Sequence, residues 1–214
     1  MLPNHSKQHN KVLGEKVVLA LIRNNFQAFY CHDRFEALAE IQDEISPGST
    51  VGASGSITMT ELGLLQSLLM KGCRILDHNC PGLTDPQKDN VRRSRLTCDL
   101  FLTSANAITL DGQLVNMDGI GNRIAPMLFG PQKVFVVAGV NKIVKNVEDG
   151  IRRIKQIAAP MNNRRRMRSN PCTQTGECID CCSTERICNV TCILHKKPLL
   201  SDIHVFIVRE KLGF

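Results

Sequence analysis

Strand-like and helix-like hydrophobic periods alternate over the first 160 residues. That alternation predicts an α/β layer fold, a mainly parallel sheet flanked by helices. Two further observations support it. "KVFVVAGV" (133–140) and "IHVFIVRE" (203–210) are apolar enough to be buried strands, and small-residue or polar turns punctuate the chain between the periodic segments. With 214 residues, 43% of them hydrophobic, the chain can bury a core without disulfides. No internal repeat or low-complexity linker divides it, so the expectation is one domain over 1–214, with a cysteine-rich excursion at 170–195 inserted before the last strand.

Residues 10–24 carry Val12, Leu13, Val17, Leu19, Ala20 and Leu21 on an amphipathic helical pattern. "FQAFYC" (26–31) reads as a short strand, after which Asp33 caps a helix running to Ile45 and ended by "SPGS". "TVGA" is a strand, "SGS" a turn, and 57–71 a leucine-rich helix. "CRILDH" is extended, a helix follows Pro86, and "DLFLTS" (99–104) is the next strand. "NAITL" and "QLVNM" flank Asp111-Gly112, a pair that favours a type I′ hairpin. A helix over 147–158 precedes the cysteine segment.

No stretch approaches the roughly 20 apolar residues that span a bilayer, so membrane insertion is not expected. The opening residues lack the order of a secretory signal, and the expected location is the cytoplasm, where thiols stay reduced. The net charge of +7 is concentrated in "NNRRRMR", with Arg164, Arg165, Arg166 and Arg168 inside five positions. The plainer reading is a solvated turn facing an acidic surface. The run lacks the interleaved aromatics of nucleic-acid recognition, and nucleic acid is not an expected partner.

Chemistry concentrates at three places. "VGASGSITMTELG" sets a small-residue turn between strand and helix, where backbone amides and the hydroxyls of Ser54, Ser56 and Thr58 would face a phosphate or carboxylate, with Gly52 and Gly55 allowing close approach. Glu61 follows, either complementing the helix dipole or acting as a carboxylate acid/base. "SANAITLDGQLVNMDGIGNR" collects Asn106, Asp111, Asn116, Asp118, Gly119, Asn122 and Arg123. Turn formation explains Asp111-Gly112, while "NMDGIGNR" beside apolar strands reads as a binding loop. Asn141 and Lys142 follow the strand at 133–140, and Arg123 and Lys142 are candidates to pair with an anionic ligand's carboxylate.

The third place is "PCTQTGECIDCCSTERICNVTC", with six of the ten cysteines in 21 positions. The spacing C-x5-C-x2-C-C-x5-C-x3-C best fits an iron–sulfur cluster offset by nearby arginines; zinc, free or redox thiols and disulfides are the alternatives, in that order. Cys31, Cys73, Cys80 and Cys98 read as inert core residues.

Several phrases, among them "GSTVGASGSITMTELGLL", "TSANAITLDGQLVNMDGIGNR", "GPQKVFVVAGVNKIV" and "PCTQTGECIDCCSTERIC", resemble the lactate-utilisation (LUD) domain family over nearly the whole chain. The resemblance implies a fold similar to the ribose-5-phosphate isomerase, glucosamine-6-phosphate deaminase and CoA-transferase group. It also implies an association with oxidation of lactate to pyruvate, in a system containing iron–sulfur subunits. The chain is similar to short stand-alone members whose pattern P-C-x5-C-x2-C-x6-C maps onto Cys172, Cys178, Cys181 and Cys188, which implies that these four act together as metal or cluster ligands without fixing the metal. The expected centre is an iron–sulfur cluster, 4Fe–4S foremost, with zinc the alternative. Cys182 and Cys192 fall outside it. The superfamily's phosphate- or CoA-binding turn corresponds to Gly52 through Thr58, and Asp111 and Asp118 inherit catalytic candidacy by place. Asp111 stands where a CoA-transferase would carry a glutamate in a glutamate–asparagine–glycine context, which speaks against covalent acyl transfer.

The expectation is therefore a redox-associated, lactate-utilisation-type protein that binds an anionic ligand. The rivals are an isomerase or CoA-transferase-like enzyme with Glu61, Asp111 or Asp118 as acid/base, and a non-catalytic partner or regulator.

Overall fold

A computed structural model describes residues 5–214. In chain order its elements are α1 (His5–Arg23), β1 (Gln27–Cys31), α2 (Arg34–Asp43), β2 (Thr50–Ala53), α3 (Ile57–Glu61), α4 (Leu64–Met70), β3 (Arg74–Leu76), α5 (Asp85–Ser94), β4 (Leu100–Thr103), β5 (Ala107–Thr109) and β6 (Leu114–Asp118). Then come α6 (Ile124–Leu128), β7 (Lys133–Gly139), β8 (Ile143–Val144), α7 (Val147–Arg153), α8 (Ala159–Arg165), α9 (Cys172–Thr175), β9 (Val190–Leu194) and β10 (Asp202–Val208).

Six strands form a sheet in the order β1-β10-β7-β4-β2-β3, and every neighbouring pair is parallel. Side chains alternate across its pleat. Val134, Val136 and Ala138 of β7 join Val205 and Ile207 of β10 in a core with Val17 and Leu21 of α1. Phe135, Val137, Phe206 and Val208 point the other way and pack with Ala37 and Ile41 of α2 and Leu64 and Leu68 of α4. Both faces are thus covered, which is why these strands read as unbroken apolar runs. Helix starts follow the sequence signals. Asp33 accepts from the Phe35 and Glu36 amides, and Thr84 with Gln87 forms a reciprocal capping box on α5.

A second sheet, β8-β5-β6-β9, carries antiparallel β5–β6 and β6–β9 pairs and a parallel β5–β8 pair. β9 lies inside the cysteine-rich segment, so that segment ends as a strand paired with β6. Three further features differ from the sequence expectation. The helix at 57–71 breaks into α3 and α4 at Gly63, which adopts a left-handed φ of 63°. The helix at 147–158 continues to Arg165 through a π-turn at Ile154–Ala158, just before Pro160, which has no amide to close an α-turn. Gly112 has φ +76° while Asp111 does not enter the left-handed region, so the hairpin is not type I′. The Gly112 amide bonds the Thr109 carbonyl and the Thr109 amide bonds the Gln113 carbonyl, giving a three-residue loop closed by a glycine bulge.

β2 and β4 are neighbours in the sheet, but the chain leaves β2 for β3 on one side and returns to β4 on the other. This reversal opens a crevice at their carboxyl ends, where open α/β sheets bind ligands.

Candidate functional site

A cleft of about 510 Å³ lies at that crevice. Its floor comes from the ends of β2, β4 and β7. Lys142, 3% exposed, donates from Nζ to Thr58 Oγ1 at 2.9 Å and to Ser104 Oγ at 2.7 Å. Among the described residues no carboxylate forms an ion pair with this amine. Burial first, then the positive charges of Arg153 and Arg123, lower its pKa to about 7, with Glu61 pulling the other way. Ser54 is also buried and lines the cleft, and its Oγ has no hydrogen-bond partner among the described residues.

The wall is a polar brace. Arg123 donates from Nε and Nη2 to Asp118 Oδ1 at 2.9 and 2.7 Å, and the Arg123 and Ile124 amides donate to Asp118 Oδ2 at 2.9 and 3.0 Å. Arg123 Nη2 also donates to Asn106 Oδ1 at 2.7 Å. Asn106 and Asn116 lock β5 to β6 reciprocally, through the Asn106 amide to Asn116 Oδ1 and the Met117 amide to Asn106 Oδ1. Arg153, from α7, crosses behind them to the Asn106 and Asn141 carbonyls.

On the opposite wall His78 follows β3. Arg95, fully buried, donates from Nη2 to His78 Nδ1 and from Nε to the Leu76 carbonyl. With Nδ1 accepting, the imidazole proton sits on Nε2. Burial and then the Arg95 charge push the His78 pKa down to about 4, so the ring is neutral at physiological pH. The Arg95 pKa itself falls to about 10, chiefly through burial.

The thiols gather next door. Cys172, Cys178, Cys181 and Cys188 line one small cavity together with Asn163, Asn170, Ile179, Arg186 and Ile187. Asn163 Nδ2 donates to Cys172 Sγ at 3.2 Å, and the Asp180 amide to Cys178 Sγ at 3.4 Å. Arg186 stitches the loop, donating to the Cys181 and Cys188 carbonyls and to Asp180 Oδ1. None of the ten cysteines is paired in a disulfide. Among the described residues no three His, Cys, Asp or Glu side chains close to metal-holding distance. In donor number and chemistry the set nevertheless fits a thiolate-held centre: four thiols face one space, and two of them already receive N–H bonds. Cys188, Arg186, Ile187 and Ala159 line both this cavity and the cleft.

The profile of the LUD domain matches residues 14–208. The chain belongs to the LUD domain family. A DUF162 family protein from Deinococcus radiodurans, known from its crystal structure, is 13% identical and superposes with a TM-score of 0.51, covering 94% of this chain and 98% of that one. The two share a fold. No curated protein matches the sequence.

Within this LUD domain the cleft brings together Ser54, Gly55, Ser56, Thr58, Asn106, Asp118, Gly119, Asn122, Arg123 and Lys142. Five other candidates lie outside its lining, for physical reasons. Gly52 is a packing position: a Cβ there would meet Cys98 Sγ at 3.0 Å and Arg95 Cγ at 3.1 Å. Asp111 sits in the hairpin loop, its carbonyl accepting from Asn24 Nδ2 at the end of α1. Asn116 is 1% exposed behind Asn106. Glu61 and Asn141 pin the segment at 212–213: Glu61 Oε2 accepts from the Gly213 amide at 2.7 Å, and Asn141 binds the Leu212 amide and the Gly213 carbonyl. Asp118 lines the cleft, but its carboxylate's hydrogen bonds among the described residues all run from Arg123 and Ile124, which makes it an anchor for Arg123.

α3 has only five residues, so hydroxyls and Lys142 rather than a helix dipole make the floor attractive to anions. Cys182 and Cys192 lie outside the thiol cavity, Cys192 on β9. Cys31, Cys73 and Cys98 are buried as expected, whereas Cys80 is exposed. His78, Arg95, Ser104 and Arg153 were not legible in the sequence: each is a single polar residue whose role depends on a partner 12 to 47 positions away.

Proposed function

We propose that this LUD domain is a redox-associated protein of lactate or other hydroxy-acid utilisation, acting in the cytoplasm with other subunits of an oxidation system. One observation carries the reading: Cys188 lines the thiol cavity and the cleft at once, so a centre held by the thiols would share a wall with a ligand in the cleft.

The chain's own residues account for binding. A protonated Lys142, held by Thr58 and Ser104, attracts the carboxylate, and Ser54 Oγ supplies a free hydroxyl beside it. Arg123 is fixed by Asp118 as the wall beside this floor. His78 offers a neutral Nε2–H, a donor suited to the ligand's hydroxyl or carbonyl oxygen. Cys172, Cys178, Cys181 and Cys188 would hold an iron–sulfur cluster, 4Fe–4S foremost, which when bound supplies one-electron transfer. Iron and acid-labile sulfide measured on anaerobically purified protein test this. The reading requires both in near-equal amounts, lost when the four cysteines are changed to serine. A colourless protein loaded with zinc rejects the electron-carrying role.

A second reading has its own support. A buried amine of lowered pKa and a neutral histidine in one cleft are acid/base equipment of an isomerase-like enzyme, with the thiol loop a structural staple. In that case catalysis on an acid substrate would survive the four serine substitutions in a folded protein.

A further inference from the structure

The arginine run at the end of α8 has no part in the function proposed above. Arg165, Arg166 and Arg168 line the lip of the cleft, where Arg92 of α5 and Arg186 of the thiol loop join them. Three of these five have carboxylate partners: Arg92 with Asp89, Arg168 with Glu185 at 3.8 Å and Arg186 with Asp180 at 2.7 Å. Arg165 and Arg166 have none among the described residues. Arg165 reaches inward instead, donating from Nη2 to the Gly55 carbonyl at 3.1 Å, which ties the lip to the turn bearing Ser54. Arg166 makes no hydrogen bond from its side chain among the described residues, and burial together with the charges of Arg168, Arg165 and Arg92 disfavours its cationic form. Guanidinium groups crowded in this way repel one another until an anion sits between them.

On the floor, Lys142 is a third cation without a carboxylate, beside the unpartnered Ser54 Oγ. The cleft therefore has two separate cationic stations. Its volume of about 510 Å³ is that of a site for a mid-sized ligand, well beyond a three-carbon acid.

We propose that Arg165 and Arg166 form a second anion subsite, and that the cleft takes a two-ended acid, with one acidic group at Lys142 and a phosphate at the lip. A phosphate suits two uncompensated guanidinium groups better than a carboxylate does, because it carries up to two charges and three acceptor oxygens. The inference rests on the reading of the floor as an acid site and names the class of ligand that site receives.

A matched pair of probes separates the two stations: 6-hydroxyhexanoate and its phosphate ester, titrated calorimetrically into the full chain. The phosphate ester binds at least tenfold more tightly than the parent acid. Arg165→Gln with Arg166→Gln removes most of that advantage and leaves the parent acid within about twofold, whereas Lys142→Met weakens both. Equal affinity for the two probes in the wild-type protein overturns the subsite. So does an unchanged phosphate-ester affinity in the double arginine variant, and a loss confined to Lys142→Met then leaves the acid-site reading standing. The reverse pattern, loss in the arginine variant with no effect of Lys142→Met, supports the lip and removes the floor. Arginine substitutions that weaken only the binding of a single-stranded RNA oligonucleotide overturn the proposal in favour of nucleic-acid contact.

Discussion

Lys142 is held between two hydroxyls and two arginines, and its behaviour with pH follows from that setting. Its pKa in the folded chain is about 7, against 10.5 for a free lysine, so the unfolded chain binds more protons between these values. Stability contributed through this group therefore rises with pH across that window, and the full cost of burying the charge is felt below about pH 7. Lys142→Met is expected to stabilise the protein at pH 6, by on the order of 1 kcal/mol, with the gain shrinking toward pH 10 in urea titrations. The same variant should weaken acid binding. In the wild type, affinity for lactate should fall above pH 7 by up to about tenfold per unit, as the ammonium is lost. His78 gives a second test at this scale. Nitrogen-15 spectra of labelled histidine should show a neutral Nε2–H form down to about pH 4, and Arg95→Met should move the His78 titration up toward ordinary histidine values. An imidazole that titrates near 6.5 in the wild type would contradict the buried Arg95 contact. The serine and threonine floor was legible at sequence level because small residues clustered at a strand end. His78 was not, since a lone histidine after a three-residue strand has no pattern.

At the scale of elements, the β5–β6 hairpin presses directly on α1. A Cβ on Gly112 would sit 2.5 Å from the Ala20 carbonyl carbon and 2.6 Å from the Leu21 amide, and φ +76° strains any other residue. Gly112→Ala should cost about 1–3 kcal/mol in equilibrium unfolding, while the equivalent change at Gly48, also at positive φ but in open space, should cost about 1 kcal/mol. Equal effects would mean that the close approach to α1 is not made. The hairpin was readable from Asp111-Gly112, but its loop type was not, because the contact with α1 selects a bulge over the tight two-residue turn. Likewise Gly63 splits a leucine pattern that looks continuous, and the π-turn before Pro160 extends a helix that periodicity alone would end there. That π-turn contributes Ile154 and Ala158 to the cleft lining, so the irregular turn faces the ligand space.

At the scale of the molecule, a six-stranded parallel sheet supplies the crevice, and a four-stranded sheet carries the polar brace across its mouth. The first was legible because both-faced burial makes apolar runs. Of the second only the β5–β6 hairpin was: β8 has two residues, and β9 hides in a segment whose composition speaks of thiols rather than of strand. β9 is what fastens the thiol loop to the site, since it pairs with β6 from Leu194 opposite Leu114 to Val190 opposite Asp118. No helix among the described residues is long and apolar enough to cross a membrane. The account's central claim is that a centre held by four thiols lies against a bound acid. Electron paramagnetic resonance of the anaerobic, dithionite-reduced protein, with and without lactate, tests it most directly. The account predicts a cluster signal whose g-values shift on adding lactate and do not shift in Lys142→Met; no signal, or one indifferent to lactate at saturating concentration, would contradict it.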